Sequence, residues 1–445
     1  MRRRTWTAAK VSAAGLAAVM LAAACGGDDD SNGDSSSDDG AAAGSDEQVE
    51  LRFTWWGNEG RAELTQNAID AFEEQYPHIT IAGDYVEWGD YWDRLATQTA
   101  AGDAADIMAQ EERFLREYAS RGALLDLSEY IGDTIDTSEL DQLVLGSGEV
   151  DGGMYGIPTG VNSFAVMADP QAFQDAGVEM PDDQTWTWDD YVATATAVSE
   201  GTDGEVYGAQ DYGGNEAGLN IFSRQRGESL YTPDGELGFS AETAAQWWGY
   251  SLQMQESGGQ PNASLSAEVQ ELGSPEQTLL GTNKAAMYWA WTNALEALST
   301  ASGRDIELLR PPGETENERG GMYLKPAMHY AVSSQTEHPE EAAMFLDFLL
   351  NDPAAVDAIG SDRGLPVNVE QRERIAADLN EFQQAEAAYL EDIADEVVDS
   401  PPAPPVGAGE SVDIIKRLNV EVLFERKNPQ EAAEQLISEM EAATG

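Results

Sequence analysis

The side chains with most to offer chemically are indoles and planar polar groups. Outside the first 24 residues the chain carries ten tryptophans, eight of them in close pairs: Trp55-Trp56, Trp186 with Trp188, Trp247-Trp248, and Trp289 with Trp291. Indole faces stack on flat apolar surfaces, while amide, carboxylate and guanidinium groups make paired hydrogen bonds. Such a set suits recognition of a solute. Bond-breaking chemistry has no comparable signal, because the chain has no Gly-x-Ser-x-Gly elbow, no His-Glu-x-x-His and no Gly-rich phosphate loop. Its three histidines, His78, His329 and His338, are widely scattered. With 82 carboxylates a pair at catalytic spacing could always be imagined, so their number excludes no hydrolase.

The stretch Leu51 to Arg61 shows how such groups are positioned. Leu51, Phe53 and Trp55 alternate with Arg52 and Thr54, a period of two that predicts a strand, and Trp56-Gly57-Asn58 is a turn opening a helix. In an open α/β sheet the ligand lies beyond the carboxyl ends of the strands, which makes Trp56, Asn58 and Arg61 candidate contacts. The alternative for Trp55 and Trp56 is plain core. Trp88 opens a later helix, and Glu111, Asn162 and Arg363 stand at strand ends or crossings, so these four are candidates too, each with a solvated surface role or core packing as its alternative. Trp247 and Trp248 have core helical period, and Trp186 and Trp188 sit at a helix start, where packing explains them.

Along the chain, strand and helix alternate. A helix over Ala62 to Tyr76, a strand at Ile79-Thr80-Ile81, a helix from Trp88, a strand at Asp106 to Ala109 and a helix from Glu112 to Ser120 predict a mainly parallel sheet with crossover helices. Gly156 to Met167 reads as an interdomain crossing. Beyond it come helices at Pro170 to Ala176, from Trp188 to Ser199 with Thr187 and Asp190 as a capping box, and Ala241 to Ser257, then a strand at Ala285 to Trp291. Tyr323 to Val332 looks like a return crossing, Glu340 to Leu350 a helix, and Pro401-Pro402-Ala403-Pro404-Pro405 a stiff connector.

The start of the chain reads as an address. Arg2-Arg3-Arg4 followed by the apolar run Val11 to Ala24 has the form of a signal peptide, residues 1–24. Leu21-Ala22-Ala23-Ala24-Cys25 resembles a bacterial lipobox with its Leu one place early, which makes Cys25 the expected lipidation site. As the only cysteine, Cys25 leaves no intrachain disulfide. Residues 25–48 have almost nothing to bury and read as a disordered tether. Asp28-x-Asp30-x-Asn32-Gly33 copies the opening of a calcium loop, but Asp39 replaces the final Glu, so no metal and no cofactor is expected. Without the leader's four bases and the tether's eight acids, 74 acids face 20 bases, a net −54. Such a field excludes nucleic acid as a partner and disfavours anionic lipid surfaces. It also suits a salt-rich exterior, which a melting temperature rising between low and molar salt would mark.

These stretches, in order, resemble the family 1 extracellular solute-binding proteins of ATP-driven (ABC) sugar importers, the maltose-binding type. The resemblance rests on Trp56-Gly57, Ala101-Gly102 with Asp106-Ile107, Arg121-Gly122-Ala123-Leu124-Leu125-Asp126-Leu127, Tyr155-Gly156-Ile157-Pro158, Ala285-Ala286-Met287 with Trp289-Ala290-Trp291, Pro339-Glu340-Glu341-Ala342-Ala343 and Arg363-Gly364-Leu365-Pro366-Val367-Asn368. Gln110-Glu111 departs from the acid or Asn found near the third strand's end in relatives, and Ala105-Asp106 from their Pro-Asp. The resemblance implies an α/β, two-lobed periplasmic-binding-protein-like (type II) fold with several hinge crossings. The expected lobes are 49–159 with 326–375, and 160–325 with 376–445. It further implies a monomer that is not an enzyme, holds a sugar or oligosaccharide in the interlobe cleft, and hands it to membrane permease subunits from a lipid anchor on the outer face of the cytoplasmic membrane. A sugar offers C–H faces and vicinal hydroxyls, so Trp289 or Trp291, where the family places a stacking Trp, joins the expected site. Phosphate would need clustered bases, which the cleft segments lack, whereas clustered acids for a polyamine stay open.

Overall fold

The computed structural model describes residues 48–270 and 274–445. Cys25, the leader, the tether and its calcium-like run lie outside the described residues. Thirteen strands occur among those described: β1 (Val49–Trp56), β2 (Ile79–Val86), β3 (Ile107–Gln110), β4 (Glu149–Val150), β5 (Gly153–Met154), β6 (Ile157–Pro158), β7 (Gly160–Ala168), β8 (Tyr207–Ala209), β9 (Ala285–Trp291), β10 (Glu307–Leu309), β11 (Leu324–Pro326), β12 (His329–Val332) and β13 (Leu365–Pro366). No described helix is long and apolar enough to cross a membrane.

A first sheet has the order β2-β1-β3-β12-β6, and a second the order β10-β7-β9-β8. β1 runs parallel to β2 and β3, because the helices Glu59–Gln75 and Trp88–Ala101 carry the chain back between strands. The remaining pairings differ from a mainly parallel expectation: both sheets are mixed. β12 is antiparallel to β3 and β6, and β7 is antiparallel to β9 and β10, while β8 and β9 are parallel. In the second sheet the physical reason is β7 itself. Its first residues pair antiparallel with the crossing strands β11 and β13, its last with β9 and β10, so one strand serves both the crossing and the second sheet. Gly160 sits where these crossings meet; a Cβ there would lie 2.2 Å from the carbonyl oxygen of Arg363, which only glycine avoids.

Each sheet has its own apolar core. In β1 the alternation reads as expected at first, with Val49, Leu51, Phe53 and Trp55 buried and Glu50 and Arg52 exposed. Phe53 meets Phe345 edge-on at 5.6 Å and Phe345 meets Phe72 at 4.9 Å, which locks helices on to the sheet. The second core centres on Trp188, Tyr191, Tyr212, Trp247, Trp248 and Trp289. The helix Trp188–Gly201 begins there, held by the expected Thr187–Asp190 capping box. The first core also takes in Ile375, Tyr389, Ile393 and Ala403, whereas the helices Ser411–Leu423 and Pro429–Thr444 pack in the second.

Candidate functional site

A cavity of about 240 Å³ opens between elements of the two cores. From the first side come Glu112 and Arg113, at the start of the helix Glu112–Ser120, and Ser147. The second side contributes Asn215, Glu216 and Asn220 around the start of the helix Glu216–Arg224, with Tyr231, Trp291, Tyr323 and Lys416. Lys325 of β11 and the run Pro401 to Pro404 complete the wall. Local capping orders the starts of both helices. Glu111 caps its helix by accepting from the Arg113 N–H at 2.9 Å, and Asn215 caps the other by accepting from the Gly218 N–H at 3.1 Å.

The floor is ionic. Lys325 Nζ lies 3.1 Å from Glu112 Oε1, 3.8 Å from Glu111 Oε1 and 5.5 Å from the centre of the Trp291 ring. The Arg113 fork closes on the Glu111 carboxylate at 3.0 Å. Burial pushes the Glu111 carboxyl up, but Lys325 and Arg113 together outweigh it and hold the group below its ordinary value, ionised. For Glu112 burial prevails over Lys325, and its pKa is raised. Burial also dominates at Glu216, raised to about 7 despite Arg113. Behind the floor, His329 is fully buried and its pKa lowered to about 3, first by burial and then by Lys325. This neutral ring pairs its Nε2 with Ser147 Oγ at 2.9 Å.

The expected contacts separate into three groups. Trp291, half-buried at the last position of β9, lines the cavity. Glu111 and Asn162 stand one layer behind it: Glu111 is 5% exposed against Lys325, and Asn162 is paired with Lys325 in the β7–β11 ladder, its Oδ1 buried without a partner. Trp56 and Trp88 form an aromatic cluster of their own. Trp88 meets Trp56 edge-on at 5.0 Å, and Tyr91 and Trp92 close on Trp56 at 5.4 and 5.6 Å. Neither Trp56 nor Trp88 lines the cavity, although Trp88 is 42% exposed.

Four further candidates have structural roles. Asn58 caps the helix Glu59–Gln75, accepting from the Arg61 N–H at 3.0 Å. Arg61 folds over the turn, donating to Asp362 Oδ2 at 2.7 Å and to the Trp56 carbonyl at 3.2 Å. Its Cδ would lie 2.5 Å from a Cβ on Gly57, so the turn needs glycine there. Arg363, 3% exposed, donates to the Tyr330 hydroxyl and, at 2.7 Å, to Thr65 Oγ1, clamping the crossing. Trp289 is 1% exposed, donates to the Tyr191 hydroxyl at 3.0 Å and stacks on Trp188 at 5.7 Å. It shares a strand face with Trp291 but lies deeper under the helices.

Sequence reasoning missed Glu112, Arg113, Lys325, Glu216, Tyr231 and Lys416. The expected lack of clustered bases in the cleft segments does not hold for this cavity, which Arg113, Lys325 and Lys416 all line. Asn215 ahead of a helical pattern, and a lone lysine in the Tyr323–Val332 crossing, were the available signals. What the assembled set can do is bind: an indole face, phenols, amides and charge-balanced donors and acceptors surround one small space.

The model of the bacterial extracellular solute-binding protein family matches residues 56–356. The arabinooligosaccharide-binding protein of Halalkalibacterium halodurans is 24% identical over 324 residues, 68% of this chain and 68% of its own. Among solved structures, the family 1 extracellular solute-binding protein of Alicyclobacillus acidocaldarius is 28% identical, with a TM-score of 0.74 over 89% of this chain and 98% of that one. A periplasmic oligogalacturonide-binding protein of Yersinia enterocolitica, 22% identical, shares the fold at a TM-score of 0.76 over 89% of this chain and all of its own. A family match over well more than half of the chain, on a fold with a cavity lined from two cores, makes this chain a member of the bacterial extracellular solute-binding protein family.

Proposed function

We propose that the chain captures a small saccharide in the cavity between its two cores and presents it to the permease of an ABC importer. The observation that carries this reading is the wall itself: Trp291 supplies a stacking face, and Asn220, Tyr231, Glu112 and Lys325, drawn from both sides, supply donors and acceptors for hydroxyls. At about 240 Å³ the space lies just below the ~300–1,000 Å³ of common small-molecule sites, which favours one or two sugar rings. Lys325 and Arg113 already engage Glu112 and Glu111, which leaves fewer free carboxylates for a polyamine. The two lobes would be 49–159 with 326–375 and 160–325 with the C-terminal helices, and 376–403 would run between them. A ligand touching both lobes favours the closed form by its differential affinity, and the permease would read that form. Export, acylation at Cys25 and tethering to the outer face of the cytoplasmic membrane would keep a monomer beside its permease.

One observation speaks for the hydrolase alternative. Glu216, raised to about 7, shares the cavity with Glu112, which is the kind of carboxylate pair a glycosidase uses. Lys325 already engages Glu112, so binding is the better reading. Calorimetric titration with arabino- and malto-oligosaccharides, run beside an aryl-glycoside turnover assay, decides. Saturable heat without turnover is expected; turnover lost on Glu216→Gln would replace the binding reading with the enzymatic one.

A further inference from the structure

We propose that the proline-rich strap Asp399–Pro405 sets the length of ligand the cavity accepts, and that Arg116 is the positioning residue that holds it shut. This inference rests on the saccharide reading above. Pro401 and Pro402 face two spaces at once. They wall the inner cavity of about 240 Å³, and with Ser229 and Tyr231 they also wall an outer groove of about 910 Å³. The strap is thus a partition between a space for a short saccharide and one with room for several more rings.

Its composition makes it a partition that can move. Four of the five residues from Pro401 to Pro405 have no N–H, so the run cannot join a sheet ladder; its φ angles are fixed, and it moves as a stiff piece. Ala403 anchors it in the first core, and beyond that burial a few bonds, mostly to its carbonyls, fasten it. Arg224 donates to the Asp399 carbonyl, and Ser400 Oγ donates to the Leu143 carbonyl. Arg116 carries the far end. Its Nε donates to the Ala403 carbonyl at 3.2 Å, its second terminal nitrogen reaches the Pro233 carbonyl at 3.2 Å, and its first pairs with Asp151 at 2.8 Å. One guanidinium, 8% exposed on the helix Glu112–Ser120, therefore joins the first core, the strap and the turn at Pro233. Pro405 in turn packs near Gly235 of that turn. A lysine offers a point charge without the planar fork that sends separate nitrogens to each of these partners.

Two measurements test this, one of them independent of any ligand. In a Cys25→Ser background, Ala403→Cys is labelled with a thiol reagent with and without Arg116→Ala. Loss of a charge-assisted tether of ~1.5–3 kcal/mol predicts labelling about tenfold faster or more without Arg116. An unchanged rate overturns the strap's dependence on Arg116, whatever the ligand proves to be. The second measurement titrates arabino- and malto-oligosaccharides of one to six rings into wild type, Arg116→Ala, Arg116→Lys and the double variant Pro401→Gly with Pro402→Gly. Wild type should prefer the shortest chains, and all three variants should gain on the longer ones relative to the shortest. A common affinity loss at every length would make Arg116 and the strap merely structural and overturn the proposal. If wild type and variants bind no saccharide at any length, the saccharide reading falls and the length claim with it, while the labelling ratio still decides whether Arg116 holds the strap.

Discussion

Two strands of this molecule end in a pair of tryptophans, and the two rims differ. At the end of β1, Trp55 is core and Trp56 is enclosed by Trp88, Tyr91 and Trp92, aromatic on every named side. At the end of β9, Trp289 is core, but Trp291 shares its surroundings with Lys325, Glu112 and Tyr323. An indole alone offers stacking without direction. An indole beside fixed donors and acceptors can orient a polyhydroxyl ring, which is why the second rim is the one proposed as the site, while the first forms an aromatic joint with one exposed edge.

That contrast can be broken by substitution. The largest effect is expected at Trp289: emptying a fully buried, hydrogen-bonded indole site with Trp289→Ala should cost about 3–5 kcal/mol of folding stability, read by chemical denaturation. Trp291→Ala should leave stability nearer to wild type but weaken saccharide binding by about 2 kcal/mol or more, read by titration. Charge sharpens the comparison, since Glu216 sits at the second rim and, like Glu386 bonded to Thr292 Oγ1 at 2.7 Å, has a pKa raised to about 7, chiefly by burial. For a carboxyl raised above its unfolded value of about 4.5, the stability it contributes is present in full below that value and lost as pH rises through 7. Each should account for up to about 3 kcal/mol of falling stability between pH 4.5 and 8, and Glu216→Gln or Glu386→Gln should flatten the curve by that amount. The smallest effect on binding belongs to Trp88, where Trp88→Ala should change saccharide affinity by about 0.5 kcal/mol or less while costing about 1 kcal/mol or more of stability through its lost contacts with Trp56 and Trp92.

The contrast also shows what the sequence could carry. Alternation located β1, and the Thr187–Asp190 capping box marked a helix start that the structure keeps. Periodicity reports which face a residue takes but not how deep it lies, which is why Trp289 and Trp291 read alike and behave differently. Capping explains Asn58, a residue whose type suited both a turn and a ligand. Lys325, Glu112 and Glu216 meet only because crossing strands bring distant segments together, and no local pattern encodes that. Stiffness of Pro401 to Pro405 was legible from composition; its place as a cavity wall was not.

The central claim is that Trp291, and not the aromatic rim of β1, faces the solute. Calorimetric titration of wild type, Trp291→Ala and Trp88→Ala with the arabino- and malto-oligosaccharide series tests it most directly. Binding to wild type and Trp88→Ala, lost in Trp291→Ala, is the predicted result; binding lost in Trp88→Ala and kept in Trp291→Ala would contradict it.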